Sequence, residues 1–283
     1  MSNFQAINGD CVAELSTMPD ASVHYSVFSP PFADLYTYSN SEMDMGNCRS
    51  HAEFFEHFSY LVKELRRVLK PGRNVSFHCM QLPKTKERDG VIGLVDFRGA
   101  LIRAFEAEGF TFHSEVCIWK DPVTAMQRTK AIGLLYKQLK KDSVLSRQGI
   151  PDYLVTMRNP GVNDEPVWKR PEEFSVDLWQ KYASPVWTDI DMSETLQRES
   201  AREDADEKHI CPLQLGVIRR AVTLWSNPGD VVLSPFMGIG SEGYEALKLG
   251  RRFIGVELKK SYYDQAVANL IRAESQGQMV MAV

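Results

Sequence analysis

Two short motifs in this chain have residue types and spacing that could do chemistry. Ser29-Pro30-Pro31-Phe32 closes the apolar run Val23–Phe28. Proline fixes φ and forces the residue before it out of the helical region, so the carbonyls of Ser29 and Pro30 have no helical partner and can turn into a cleft. Acceptors of this kind suit an amino group: they hold its two hydrogens and aim the nitrogen lone pair at an electrophile. Phe32 adds a ring face on which a flat base could stack, a contact worth about 1–3 kcal/mol in single-strand nucleic-acid binders. Taken alone the tetrapeptide is a weak signal, because Pro-Pro is common in ordinary loops.

The second motif is Gly238-Ile239-Gly240-Ser241-Glu242-Gly243, which fits G-x-G-x-x-G between the strand-like Val231–Leu233 and a helical stretch ending near Leu249. Glycines there permit positive φ and let backbone approach a ligand closely. The next strand-like run, Arg252–Leu258, carries Glu257 near its end, where a carboxylate can accept hydrogen bonds from ribose hydroxyls. Strand, glycine turn, helix and a second strand ending in an acid together describe an adenosine site. A dinucleotide is the obvious occupant. Against it, the stretch after Glu257 is short for the rest of a dinucleotide-binding sheet, and the apolar Pro235-Phe236-Met237 leading into the turn suits a thioether-bearing nucleoside at least as well as a pyrophosphate. S-adenosylmethionine is the favoured occupant.

These motifs need elements to hold them. The amphipathic stretch His51–Leu69 places Phe54, Phe55, Phe58, Leu61, Val62, Leu65 and Leu69 at helical spacing, with a capping-box start at Ser50-x-x-Glu53 and a stop at Lys70-Pro71-Gly72. A strand at Asn74–Met80, a helix over Phe97–Glu108 and a strand over Phe110–Trp119 come next. After about residue 208 come a helix over Pro212–Ser226, a turn at Asn227–Asp230, the glycine-loop unit and a closing helix to about Glu274. Strands alternating with helices predict a largely parallel sheet covered on both faces.

The 283 residues are 43% hydrophobic and 25% charged, which excludes a disordered or collagen-like chain. No apolar run approaches a membrane span, and the start Met-Ser-Asn-Phe-Gln does not read as a signal peptide, so a cytoplasmic protein is expected. The cysteines Cys11, Cys48, Cys79, Cys117 and Cys211 are scattered and never form Cys-x-x-Cys, so free thiols and no metal site are expected. A net charge of −4 is not the footprint of a nucleic-acid binder. Residues 120–170, however, hold ten basic against five acidic side chains, a surplus that the acidic stretch Asp189–Glu207 offsets. Lys137, Lys140, Lys141, Arg147 and Arg158 are the candidates there for contact with phosphates; a solvated helix face is the plainer alternative. His51, His57 and His78 fall in helical or strand patterns and read as core or surface histidines rather than catalysts.

As an ordered set, the motifs resemble the amino-methyltransferase group of DNA methylases, in the permuted arrangement where the catalytic motif precedes the cofactor motif. Ser29-Pro30-Pro31-Phe32 matches the family's Asp/Asn/Ser-Pro-Pro-Tyr/Phe. Ser234-Pro235-Phe236-Met237-Gly238-Ile239-Gly240-Ser241 resembles its Asp-Pro-Phe-x-Gly-x-Gly-Thr. Asn8-Gly9-Asp10-Cys11 is similar to the family's opening, which places Asp10 and Cys11 near the cofactor's adenine. His209, Pro212, Leu213 and Leu215 resemble a segment that flanks the methionine moiety. Ser234 departs from the family's usual Asp, and Ser241 from its Thr, the latter keeping the hydroxyl.

The resemblance implies a Rossmann-like, seven-stranded α/β methyltransferase sheet formed by 1–120 and 205–283, with an inserted target-recognition region over 121–204. It further implies methyl transfer from S-adenosylmethionine to the exocyclic amino group of a base flipped out of double-stranded DNA, with no metal. Ser at the first catalytic position resembles the cytosine-N4 enzymes, which favours that target over adenine N6. Methylation of cytosine carbon-5 needs a nucleophilic cysteine, typically in Pro-Cys, and this chain has only Cys211-Pro212. An RNA or small-molecule substrate, a binding relative without turnover, and a homodimer stay open.

Overall fold

The computed structural model describes residues 2–32, 45–48, 50–123, 136–172, 174–196 and 212–281. Its centre is an eight-stranded sheet. The strands are β1 (Phe4–Asn8), β2 (Tyr25–Phe28), β3 (Asn74–Met80), β6 (Thr111–Ile118), β7 (Asp152–Arg158), β8 (Val186–Trp187), β9 (Val231–Ser234) and β10 (Arg252–Glu257), and a separate hairpin pairs β4 (Leu82–Lys84) with β5 (Gly93–Val95). The order across the sheet is β1-β10-β9-β2-β3-β7-β6-β8. The first five strands are mutually parallel, β7 runs antiparallel to both its neighbours, and β8 lies parallel to β6. The expected seven strands are present, and the two-residue β8 is an additional edge.

Both faces of the central strands are covered, so even Ser26, Ser76 and Ser234 are sealed from solvent. On one face pack α1 (Cys11–Thr17), α2 (His51–Val68) and α3 (Phe97–Ala107). Ser50 caps α2 by accepting from Glu53 N at 3.2 Å, as the capping box predicts. The buried stripe of α2 contributes Phe54, Phe58, Leu61, Val62, Leu65 and Val68. Phe77 of β3 stacks on Phe105 of α3 with ring centroids 5.1 Å apart, an arrangement worth about 0.5–1.5 kcal/mol beyond the area it buries. The opposite face is covered by α5 (Leu215–Trp225), α6 (Ser241–Lys248) and α7 (Lys260–Met281), while α4 (Val176–Tyr182) lies in the connection to β8. No described helix is long and apolar enough to cross a membrane.

Two stretches inside 121–204 are part of the sheet: β7 pairs with β3 over its whole length, and β8 pairs with β6. Two connections flank β7: one joins the end of β6 to its start, and the other joins its end to β8. Residues 159–185 depart from the end of β7, where Lys169 Nζ donates to Ser226 O at 2.6 Å.

Candidate active site at the carboxyl edge of the sheet

Five parallel strands point their carboxyl ends to one edge, so the segments after β1, β2, β3, β9 and β10 share a crevice. This is where open α/β sheets bind ligands, at the point where the strand order reverses. Here that point lies between β9 and β2, paired through Ser26 and Leu233. The Ser-Pro-Pro-Phe turn comes directly after β2 and the glycine loop directly after β9. Phe28 and Phe236, one at the root of each motif, pack with ring centroids 5.7 Å apart. The two motifs, about two hundred residues apart in sequence, are therefore neighbours on the same edge.

In the glycine loop Gly238 has φ 53° and Gly240 φ 87°, values that favour glycine. A Cβ added at Gly238 would meet nothing within 4 Å, so the turn faces open space, whereas one at Gly240 would lie 3.3 Å from Ala266. Gly243 serves a different purpose: a Cβ there would lie 2.4 Å from Leu270 Cδ2 and 2.5 Å from Phe253, so the glycine lets α6 close onto α7 and β10. Of the apolar residues entering the loop, Met237 turns into the core at 1% exposure, while Phe236 stays half-buried beside Phe28. The Met237 thioether is packed over Gly255.

Glu257 is held by the loop it faces. Its Oε2 accepts from Gly238 N and its Oε1 from Lys259 N, both at 2.9 Å. Asn8 fastens the neighbouring strand end by donating to the carbonyls of Glu257 and Leu258 at 2.8 and 3.0 Å. Asp10 caps α1 through Ala13 N at 2.9 Å, and Cys11 is buried, which pushes its thiol well above the usual range. Leu213 is buried and Pro212 half-buried at the approach to α5; His209 and Cys211 lie outside the described residues. Among the described residues, the buried atoms Ser234 Oγ, Ser241 Oγ and Gln214 Oε1 have no hydrogen-bond partner. Buried polar groups are nearly always paired. Orphaned hydroxyls at both ends of an open glycine loop fit a site completed by a polar ligand.

Glu242, beside the loop, is fully buried, and burial with the nearby Glu257 charge pushes its carboxyl up to about 8. It is therefore a neutral acid at neutral pH, and sequence reasoning assigned it no part.

Across the crevice, Pro30 is buried, Ser29, Pro31 and Phe32 are half-buried, and Phe32 leans on Phe97 at 6.4 Å between ring centroids. Ser29 Oγ lies 3.2 Å from His78 Nδ1. The other ring nitrogen, Nε2, lies 3.0 Å from Asp152 Oδ2, and Lys120 Nζ pairs with the same carboxylate. Burial alone would raise the Asp152 carboxyl, but His78 and Lys120 together hold it below the ordinary carboxylate range. His78, expected to be a core or surface residue, is buried, and it also touches the first residue of the tetrapeptide. Its strand, Asn-Val-Ser-Phe-His-Cys-Met, offered one signal: a histidine facing inward near the carboxyl end of a parallel strand.

The basic candidates divide. The segment bearing the exposed Lys137, Lys140 and Lys141 and the half-buried Arg147 is rooted at the catalytic edge, since it joins Ile118 to Asp152. Arg158 does not join them. It ends the antiparallel β7 and pairs in register with Asn74 and Thr111, the first residues of β3 and β6, at the opposite edge. On that far edge His24, Glu165 and Asp230 offer ligand-type atoms within 4.8 Å of one another, but Lys70 and Arg73 already pair with the two carboxylates.

Comparison with known proteins places this geometry. A family model described as DNA methylase matches residues 23–268. The type II methyltransferase M.BglII of Bacillus subtilis is 26% identical over 267 residues, covering 92% of this chain and 66% of that protein, so the chain spans just under two thirds of its length. The DNA adenine methyltransferase YhdJ of Escherichia coli K12 is 23% identical over 282 residues, covering 93% and 81% respectively. Among solved structures, TTHA0409 of Thermus thermophilus, complexed with S-adenosyl-L-methionine, matches with TM-score 0.69 at 22% identity over 95% of each chain. The cytosine-N4-specific PvuII DNA methyltransferase matches with TM-score 0.67 at 16% identity, over 100% of this chain and 94% of that one. These two likenesses establish the fold.

Proposed function

This chain belongs to the DNA methylase family, and from that premise we propose that it transfers a methyl group from S-adenosylmethionine to the exocyclic amino nitrogen of a base in double-stranded DNA, cytosine N4 being the favoured target. The observation that carries the reading is the meeting of the two motifs on adjacent parallel strands, with Phe28 against Phe236 at 5.7 Å. Glu257 would hold the ribose hydroxyls, Asp10 and Cys11 would border the adenine, and Pro212 and Leu213 the methionine chain. Pro235, Phe236, Gly238 and Gly240 would form the wall between them, and the orphaned Ser234 and Ser241 hydroxyls would find partners there. When bound, the sulfonium supplies an electrophilic methyl group, so the protein has to position the nitrogen and manage its protons.

Positioning falls to the tetrapeptide. The amino hydrogens are held by Ser29 Oγ and the Pro30 carbonyl, which localises the nitrogen lone pair and stabilises the positive charge developing on it. Pro31 fixes the turn, and Phe32 offers its ring to the base. Because the target atom lies inside a duplex, the base must be extruded at a cost of a few kcal/mol, offset by stacking and hydrogen bonds in the pocket. Lys137, Lys140, Lys141 and Arg147, on the segment rooted beside the site, would hold the flanking phosphates. Serine at position 29 favours cytosine N4; the similarity to YhdJ, described as a DNA adenine methyltransferase, favours adenine N6 as the second reading.

Replacement of Pro30 or Phe32 by Ala is expected to abolish methyl transfer to duplex DNA while binding of S-adenosylmethionine, followed by calorimetry, persists. Loss of cofactor binding in both variants would contradict the assigned roles. Methylation-aware sequencing of DNA from cells expressing the chain identifies the base and the site together.

A further inference from the structure

We propose that Ser29 works through a relay of His78 and Asp152, anchored by Lys120, which aims the Ser29 hydroxyl and takes up the proton that the methylated amino group must lose. The inference rests on the role just given to Ser29. Its geometry is a continuous line: Ser29 Oγ to His78 Nδ1 at 3.2 Å, His78 Nε2 to Asp152 Oδ2 at 3.0 Å, then Lys120 Nζ on the same carboxylate. His78 is 8% exposed and Asp152 2%, so the line runs inward from the half-buried Ser29. The groups that face the imidazole are the Ser29 hydroxyl from the end of β2, Asp152 from β7, and Lys120 from beyond the end of β6.

Of the two imidazole contacts, only that with Ser29 is a hydrogen bond in this structure. His78 Nε2 approaches Asp152 Oδ2 as a charge contact, its N–H not aligned for a hydrogen bond, and the adjacent negative charge decides which nitrogen carries the hydrogen. An ionised carboxylate only accepts, so the hydrogen of a neutral imidazole belongs on Nε2, leaving Nδ1 as a bare acceptor. Nδ1 can then be satisfied only if the Ser29 hydroxyl donates to it. That fixes a rotor which is otherwise free. The lone pairs of Ser29 Oγ are turned to the crevice, where they accept a hydrogen from the target amino group. A serine left to rotate could instead donate to the amino nitrogen and occupy the lone pair that must attack. A tie that merely joined β3 to β7 would require the Nε2–Asp152 contact alone and would leave Nδ1 without a reason to meet Ser29.

The same line balances the proton account of the reaction. As the N–C bond forms from the nitrogen lone pair, the electron pair of the broken S–C bond stays on sulfur, and the nitrogen carries a positive charge with one hydrogen too many. That proton passes to Ser29 Oγ while the proton of Ser29 passes to His78 Nδ1. The resulting imidazolium faces the Asp152 carboxylate, which stabilises it. Ser29 ends as it began, one methyl has moved to nitrogen, and His78 returns its proton to water once the product leaves. His78 and Asp152 are thus positioning residues acting through Ser29. Acid that protonates Nδ1 in advance removes both the acceptor and the proton sink.

Two measurements test this. Nitrogen-15 spectra of the histidine-labelled protein, without cofactor or DNA, should show His78 as the Nε2–H tautomer, with its Nδ1 resonance shifted by Ser29→Ala; an Nδ1–H tautomer overturns the relay even if no variant folds. Single-turnover transfer of a tritiated methyl group to unmethylated genomic duplex DNA supplies the second. His78→Asn, which keeps an acceptor near Nδ1 but cannot take up a proton, and Asp152→Asn should each slow transfer by about 10²-fold, and His78→Asn should remove the acid limb of the pH profile. Cofactor affinity should not change, and neither substitution should add to the loss caused by Ser29→Ala. Rates within twofold of wild type with an unchanged pH profile, or losses that add to that of Ser29→Ala, refute the relay alone. A wild-type chain that methylates no DNA refutes the underlying function, and the relay with it.

Discussion

The Glu257 carboxylate offers the sharpest probe of the cofactor site, through the single-atom change Glu257→Gln. Both its oxygens accept from backbone, Oε2 from Gly238 N and Oε1 from Lys259 N, each at 2.9 Å. A glutamine has only one carbonyl oxygen. Whichever way its amide is turned, its NH2 group faces one of the two N–H groups, donor against donor. An unpaired donor in a partly buried position costs about 1–3 kcal/mol. If the glycine loop of the free variant relaxes and gives the orphaned amide to water, restoring the loop geometry on binding puts the cost on affinity. At 1.4 kcal/mol per tenfold, affinity for S-adenosylmethionine should weaken by roughly 5- to 150-fold, with further loss from the missing charge at the ribose. Titration calorimetry without DNA isolates this step from base recognition. An affinity within twofold of wild type, in a variant that unfolds at the wild-type temperature, would show that Glu257 neither braces the loop nor meets the ligand.

Gly243→Ala forces a Cβ to within 2.4 Å of Leu270 Cδ2 and 2.5 Å of Phe253. It should cost about 1–3 kcal/mol and lower the thermal midpoint, while Gly93→Ala, whose Cβ meets nothing within 4 Å, should leave the midpoint unmoved. The Glu242 carboxyl, raised to about 8 in the folded chain, makes the native state bind more protons than the unfolded one between its ordinary carboxylate value and that figure. Stability from this group is therefore present in acid and drains away as the pH climbs through that window; Glu242→Gln should remove this slope, so that its thermal midpoint gains on wild type as the pH rises. Replacing Lys137, Lys140 and Lys141 with Ala should weaken duplex binding and reduce the steepness of its salt dependence by up to about 0.9 for each phosphate no longer neutralised. Arg158→Ala, on the far edge, should alter neither.

Where a segment carries its own period or punctuation, the fold can be read directly. The span of β3, Asn74–Met80, and the start of α2 at Ser50 come from the alternating Val75, Phe77 and Cys79 and from a capping box. The glycine loop is legible for the same reason, because the positive φ at Gly238 and Gly240 admits few other residues. Strand β7 was harder. Asp-Tyr-Leu-Val-Thr-Met-Arg lies within a stretch whose excess of basic side chains draws attention to charge rather than periodicity, and its role depends on a partner more than seventy residues upstream. The contact of His78 with Ser29 was illegible for a related reason. It spans 49 residues and exists only because β2 and β3 pair side by side.

Strand direction, rather than order along the chain, decides which residues can take part in the chemistry. Five parallel strands deliver the segments beyond their carboxyl ends to the crevice, so Asp10, Ser29, Ser234 and Glu257 lie on one edge although their strands are scattered through the sequence. Strand β7 runs the other way, and for it the rule inverts. Its first residue, Asp152, reaches the crevice beside His78, while its last, Arg158, is carried to the far edge opposite Asn74. Six steps of about 3.3 Å separate the two by roughly 20 Å. A parallel strand at this place would exchange their positions, setting a guanidinium beside His78 and removing the carboxylate that orients the ring. The reversed strand is thus what allows a buried acid to stand behind Ser29. It also roots the segment bearing Lys137, Lys140 and Lys141 at the crevice edge while carrying Arg158 to the far one.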